Sequence, residues 1–159
     1  MCIRDRVLYG DVPLISAGTL RQLIHETGAG SAVLTADLDD PSGYGRVLRD
    51  SAGRFERIVE DKDATPSELE IREINTGVLI VSAAHLNAYL PTVTSDNGQG
   101  EYYLPDILSR LVEDNEQILT INALSDEVLG INDRFQLARA EAEQAARAAP
   151  AHDQPRAQA

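Results

Sequence analysis

One succession constrains this chain more than any other. A short apolar run, Val7-Leu8-Tyr9, is followed by a polar-capped helical pattern and then by a second apolar run from Ser31 to Leu38. Ser16 is a good N-cap, Leu20, Leu23 and Ile24 repeat at helical spacing, and Gly28 and Gly30 close the helix. Strand, helix and strand in that order predict an α/β protein with a parallel sheet and helices packed on it. The first run ends in Tyr9-Gly10-Asp11, with Pro13 almost at once behind it, so it reads as a short buried strand. Asp11 then lies just past the carboxyl end of that strand, where open α/β sheets bind ligands. A carboxylate at that place can take a divalent cation. Taken alone, Asp11 is better accounted for as the cap of a turn before the next helix.

The remaining chain alternates in the same manner. Asp39 to Arg46 is a loop by composition, and Gly43 and Gly45 serve either as turn residues or as places where a ligand touches backbone. Val47–Arg49 and Phe55–Val59 flank the turn Asp50-Ser51-Ala52-Gly53 and predict a β-hairpin. A dense charge cluster follows at Glu60-Asp61-Lys62-Asp63, and Ala64 to Glu70 reads as a short helix or turn. Glu73-Ile74-Asn75-Thr76-Gly77 places polar residues just ahead of an apolar strand, Val78 to Val81. The planar amide of Asn75 can read a sugar hydroxyl, although Asn is also common in turns. A short helix is expected over His85–Leu90, a loop over Thr92–Gly100, an amphipathic helix over Glu101–Glu113 and a strand over Gln117–Ala123. Asn132 opens a last long helix, for which N-capping is a sufficient explanation.

The formal net charge of −12 repels nucleic acid and anionic membrane, and neither is expected as a partner. The single cysteine, Cys2, excludes an internal disulfide and a cysteine-built metal site, and a reducing, cytoplasmic setting is expected. No dinucleotide-type or P-loop glycine motif and no nucleophile–histidine–acid pattern is present. Met1 to Arg6 sets charge against a strand pattern and is expected to be a non-native leader. Residues 7–140 are expected to form the folded unit, and 141–159 a linker helix and disordered tail.

In order, Leu8-Tyr9-Gly10-Asp11-Val12-Pro13-Leu14, Gly43-Tyr44-Gly45-Arg46, Ile58-Val59-Glu60-Asp61-Lys62-Asp63-Ala64-Thr65, Glu73-Ile74-Asn75-Thr76-Gly77, Gly100-Glu101-Tyr102-Tyr103-Leu104 and Gly130-Ile131-Asn132-Asp133-Arg134 resemble one family. It is the bacterial N-acetylglucosamine-1-phosphate uridyltransferases, bifunctional enzymes that also carry an acetyltransferase domain. The resemblance runs from about Val7 to Glu141 and falls on the second half of the pyrophosphorylase domain.

That resemblance implies a partial Rossmann-like nucleotidyltransferase fold: a mixed, mostly parallel sheet with flanking helices and a β-hairpin insertion, ending in a long helix. It implies Mg2+ held by Asp11 and Asn132. It places Tyr9 and Gly10 in the nucleotide-sugar site, with Gly45 meeting the sugar through its backbone and Glu60 and Asn75 through their side chains. UTP and N-acetylglucosamine 1-phosphate would be the substrates, and UDP-N-acetylglucosamine, a precursor for peptidoglycan and lipopolysaccharide, the product. The family's arginine-bearing glycine-rich loop, its Pro-Lys segment and its base-reading elements have no counterpart here. The resemblance therefore implies a fragment without catalytic residues of its own, inactive alone, with an open sheet edge. Full-length relatives would form homotrimers through a β-helix. A non-catalytic sugar-nucleotide-binding module, or a nucleotidyltransferase for another sugar, is the alternative expectation.

Overall fold

The computed structural model describes residues 4–131 and 133–148. Six strands form one mixed sheet: β1 (Arg4–Val7), β2 (Ser31–Asp37), β3 (Arg46–Arg49), β4 (Phe55–Val59), β5 (Glu73–Ser82) and β6 (Ile118–Ala123). Their order is β4-β3-β5-β2-β6, with β1 also paired to β5. Five helices accompany them: α1 (Ala17–Thr27), α2 (Pro66–Leu69), α3 (Ala83–Tyr89), α4 (Asp106–Glu113) and α5 (Arg134–Ala148). The parallel share is smaller than expected. Among the described residues only β2 and β6 pair in parallel, because β5 runs against both β2 and β1 and so separates two strands of like direction.

The central strand β5 organises the rest. Its registers with β2 occupy one flank along most of its length. On its other flank β1 pairs with Leu79–Ser82, whereas β3 pairs only at Ile74. The two neighbours thus share one flank and leave a fork between them, opposite residues 75 to 78.

Alternation along the strands builds a core on each face. Ala32, Leu34, Val78, Ile80 and Ile121 pack beneath Leu23 of α1. On the opposite face Val33, Leu79 and Val81 meet Ile107, Leu108 and Leu111 of α4, with Val47, Phe55 and Ile58 of the hairpin. The hairpin and α1 form as expected, and Ser16 accepts the Thr19 N–H at 3.1 Å. Thr65 and Glu68 form a complete capping box on α2, which has Pro66 in its first turn.

Three expectations change. The first apolar run is not a buried strand. Pairing ends at Val7, and Leu8 and Tyr9 are 47% and 42% exposed, since among the described residues β1 has no partner on its outer edge. Glu73 to Gly77 lies inside β5 rather than ahead of it. The amphipathic helix begins at Asp106 and not at Glu101, because Pro105 disfavours helical geometry at Leu104 and offers no N–H to the preceding turn. Residues 1–3, Asn132 and the tail from 149 lie outside the described residues, as do the questions the sequence raised about them.

Leu79 is fully buried between the sheet and α4. Leu79→Ala is expected to cost about 2–5 kcal/mol, the usual range for emptying such a site. A lowered urea midpoint at unchanged slope is the check.

Candidate functional site

Regular pairing of β2 with β5 would lead from Val33↔Leu79 to Thr35↔Gly77, but Thr35 instead faces Asn75, so two steps along β2 correspond to four along β5. The surplus is a bulge at Thr76, Gly77 and Val78. Gly77 adopts φ +81°, a conformation open to glycine and strained for other residues. The bulge satisfies its own polar groups. The Thr76 hydroxyl donates to the Leu34 carbonyl at 2.8 Å, and the Asn75 side-chain oxygen accepts the Gly77 N–H at 3.0 Å. Bulges of this kind re-aim side chains beside functional sites.

The aromatic ring of Tyr9 lies against the bulge. A Cβ on Gly77 would stand 2.2 Å from a Tyr9 ring carbon, so the glycine's missing side chain is the seat of the tyrosine. Tyr9 follows the end of β1 and leans across the fork toward the β3 side. There the Asn75 N–H donates to the Gly45 carbonyl at 2.8 Å. Gly45 in turn lies against Glu60: an added Cβ would be 3.1 and 3.2 Å from the two carboxylate oxygens.

The loop after β6 closes the remaining side. Buried Glu127 accepts from the Ser16 N–H at 3.4 Å and from the Thr19 hydroxyl, tying this loop to the N-terminus of α1. A carboxylate at a helix N-terminus is favourably placed. Further along, the Ile131 N–H donates to the Asp11 carbonyl at 2.8 Å, and the Gly130 N–H donates to the Tyr44 hydroxyl at 3.3 Å.

These contacts border an open cleft of about 410 Å³. Tyr9, Asp11, Gly45, Glu60 and Asn75 all line it. Gly10 does not; it forms the turn between two residues that do. Asn132 lies outside the described residues, although its neighbour Ile131 is bonded to Asp11. Sequence reasoning passed over Thr76, Gly77 and Gln99 as wall residues, and Tyr44 as a hydroxyl that holds the 130 loop. A glycine within a strand pattern was the available signal for the bulge.

The site is electronegative. Burial, then Asp106, Asp63 and Asp61 in turn, push the Glu60 carboxyl above its ordinary range. Burial also raises Asp106, with Asp63 adding to the effect against the opposing Arg110. Tyr9 is raised by burial, Glu60 and Asp11, and it remains a neutral hydroxyl donor. Among the described residues no three His, Cys, Asp or Glu side chains gather as a ready-made metal cage. One carboxylate at the rim still suits Mg2+, which takes one or two protein oxygens and completes its shell with water and phosphate. Among the described residues no helix is long and apolar enough to cross a membrane.

No family model matches the chain. It is 52% identical over 137 residues to the bifunctional protein GlmU of Methylococcus capsulatus, covering 85% of this chain and 30% of that protein. The GlmU of Cupriavidus taiwanensis is 51% identical over the same length, with the same coverage. The chain thus spans about a third of the length of the curated relatives it matches. Among solved structures, a CMP:2-keto-3-deoxy-manno-octonic acid synthetase complexed with CTP superposes with a TM-score of 0.60 at 15% identity, over 91% of this chain and 62% of that one. A nucleoside-diphosphate-sugar pyrophosphorylase from Vibrio cholerae gives a TM-score of 0.55 at 13% identity, over 79% and 48%. Both share the fold.

Two outcomes follow from the geometry. Gly77→Ala strains the bulge and unseats Tyr9, at an expected cost of roughly 1–3 kcal/mol, visible as a lowered urea midpoint and as changed NMR shifts of the Tyr9 ring. Folding raises the pKa of Glu60, so the folded state holds that proton more firmly than the unfolded chain. Its contribution therefore favours folding at acidic pH and opposes it as the pH climbs through the carboxylate range. Glu60→Gln is expected to raise Tm by about 2 °C at neutral pH, and thermal melts across pH should show the gain vanish on acidification.

Proposed function

We propose, from its kinship with the bifunctional GlmU proteins over most of its length, that this chain is the sugar- and metal-binding part of a uridylyltransferase. The reaction joins UTP and N-acetylglucosamine 1-phosphate. A phosphate oxygen of the sugar 1-phosphate attacks the α-phosphorus of UTP, the bond to the β-phosphate oxygen breaks, and pyrophosphate leaves. Such transfers depend on alignment and charge neutralisation rather than on a protein nucleophile. The chain's lack of any nucleophile motif agrees with that chemistry.

The observation that carries the reading is the convergence of Tyr9, Asp11, Gly45, Glu60 and Asn75, drawn from four separated stretches, on one cavity wall. Glu60 accepts from sugar hydroxyls. Asn75 has committed its oxygen to Gly77, which leaves its NH2 as the donor for a ligand. Gly45 lets the sugar approach the backbone. Tyr9 is a neutral donor beside the nucleotide sugar, and Gly10 shapes the turn that carries it. Asp11 and Asn132 are the proposed Mg2+ ligands, and the ion would neutralise phosphate charge there. Product of this type enters cell-wall precursor synthesis in the bacterial cytoplasm, and the complete protein of this kind assembles as a trimer.

Groups that neutralise phosphate charge are worth several powers of ten in rate, and the chain supplies no arginine-bearing glycine-rich loop. Pyrophosphate release from UTP, Mg2+ and N-acetylglucosamine 1-phosphate is therefore expected to be undetectable with the 159-residue chain alone. Grafting Val7–Glu141 in place of the matching stretch of the Methylococcus capsulatus relative is expected to give an active enzyme. In that graft Asp11→Ala should reduce turnover by about a hundredfold or more. A well-folded but inactive graft would refute the assignment.

A further inference from the structure

Arg46 is 2% exposed, and its position at the start of β3 puts it between every part of the proposed sugar site. Its main chain pairs with Val59 of β4 and Ile74 of β5, the residues immediately before Glu60 and Asn75. Its guanidinium repeats the pattern. Nη1 donates to the carbonyl of Tyr44, just ahead of Gly45, and Nη2 donates to Asp61 Oδ1 at 3.0 Å, just after Glu60. The Nε is equally buried and has no partner among the described residues.

Such a group is a poor device for stability. Burying a guanidinium is costly, and an orphaned N–H adds to the cost. A buried ion pair that leaves a donor unmet gives little back against a well-packed apolar side chain. What the arrangement supplies is geometry. A planar fork holds two acceptors at a fixed separation, which an ammonium cannot do. Here the two acceptors belong to the segments that carry Gly45 and Glu60. The Gly45 carbonyl in turn receives the Asn75 N–H at 2.8 Å. One side chain therefore sets the spacing of three residues that come from separate stretches of the chain.

We infer that Arg46 is a positioning residue: its buried fork clamps the Tyr44–Gly45 and Glu60–Asp61 segments together and so fixes the spacing of Gly45, Glu60 and Asn75 on which sugar binding depends. The inference rests on the uridylyltransferase reading for the identity of the ligand, but not for the clamp itself. Two measurements separate them. Amide hydrogen exchange on the 159-residue chain reads the clamp without ligand. In Arg46→Met the Asn75 N–H is expected to exchange about tenfold faster, while amides pairing β2 with β6 keep their wild-type rates. UDP-N-acetylglucosamine titration of the Methylococcus capsulatus graft then reads the consequence. Arg46→Met should weaken binding about tenfold, and Arg46→Lys, which keeps the charge and loses the fork, should recover only part of it. In a Glu60→Gln background the same Arg46→Met change should cost little, because the residue through which the clamp acts is already altered; a merely structural role would add in full. If Arg46→Met does not fold, Asp61→Ala removes the acceptor and releases the same clamp from its partly exposed side, and it is judged by the same exchange rates. Wild-type exchange at Asn75 in the variant overturns the clamp. Altered Asn75 exchange in Arg46→Met, together with a graft that binds no UDP-N-acetylglucosamine, upholds the clamp and overturns the ligand assignment.

Discussion

The structure turns on the bulge in β5. A strand that kept register with β2 through residues 75 to 79 would present a continuous flank to a neighbour, and there would be no fork. The surplus residues at Thr76, Gly77 and Val78 break that flank. β1 then takes one end of the strand and β3 the other. The disruption is affordable because Thr76 and Asn75 replace the lost ladder bonds with their own side chains. Gly77 makes it geometrically possible, both by its positive φ and by leaving room for Tyr9. Cavity, bulge and tyrosine seat are therefore one feature.

Around this fork the electrostatics are one-sided. Glu60, Asp61, Asp63 and Asp106 stand together, and two of their carboxyls are pushed upward, mainly by burial. Such a cluster opposes folding at neutral pH, and residues kept at that expense are commonly kept for binding. Arg110 opposes the shift of Asp106, and the buried Arg46 answers Asp61 rather than Glu60. Glu60 is left with its acceptor capacity facing the cavity, which suits recognition of hydroxyl groups.

Much of this architecture was legible in the chain. The Ser16 cap, the hairpin around Asp50–Gly53, the apolar run of β5 and the amphipathic face of α4 each follow from local rules of spacing and capping, and each forms. The errors share a cause. Leu8 and Tyr9 look like core because they are apolar, but an apolar run does not say which of its flanks has a partner. Glu73 to Gly77 looks like a loop because it is polar, but its polar groups are met within the bulge and across the sheet. The amphipathic spacing extends back to Glu101, but Pro105 bounds α4 and the helix starts at Asp106.

The chain by itself determined its elements, its acidic character and, through six short ordered segments, its kinship. Those depend on local propensity and on residue identity, which a linear text records. It could not determine that Tyr9 rests on Gly77, that Arg46 touches both neighbours of the proposed sugar contacts, or that Ile131 closes on Asp11. Each of those joins separate stretches of the chain, and the seat of Tyr9 depends on the register shift in β5. Tertiary pairing decided them, since only the sheet, once formed, sets which backbone groups lack partners and therefore which side chains are drawn in to meet them.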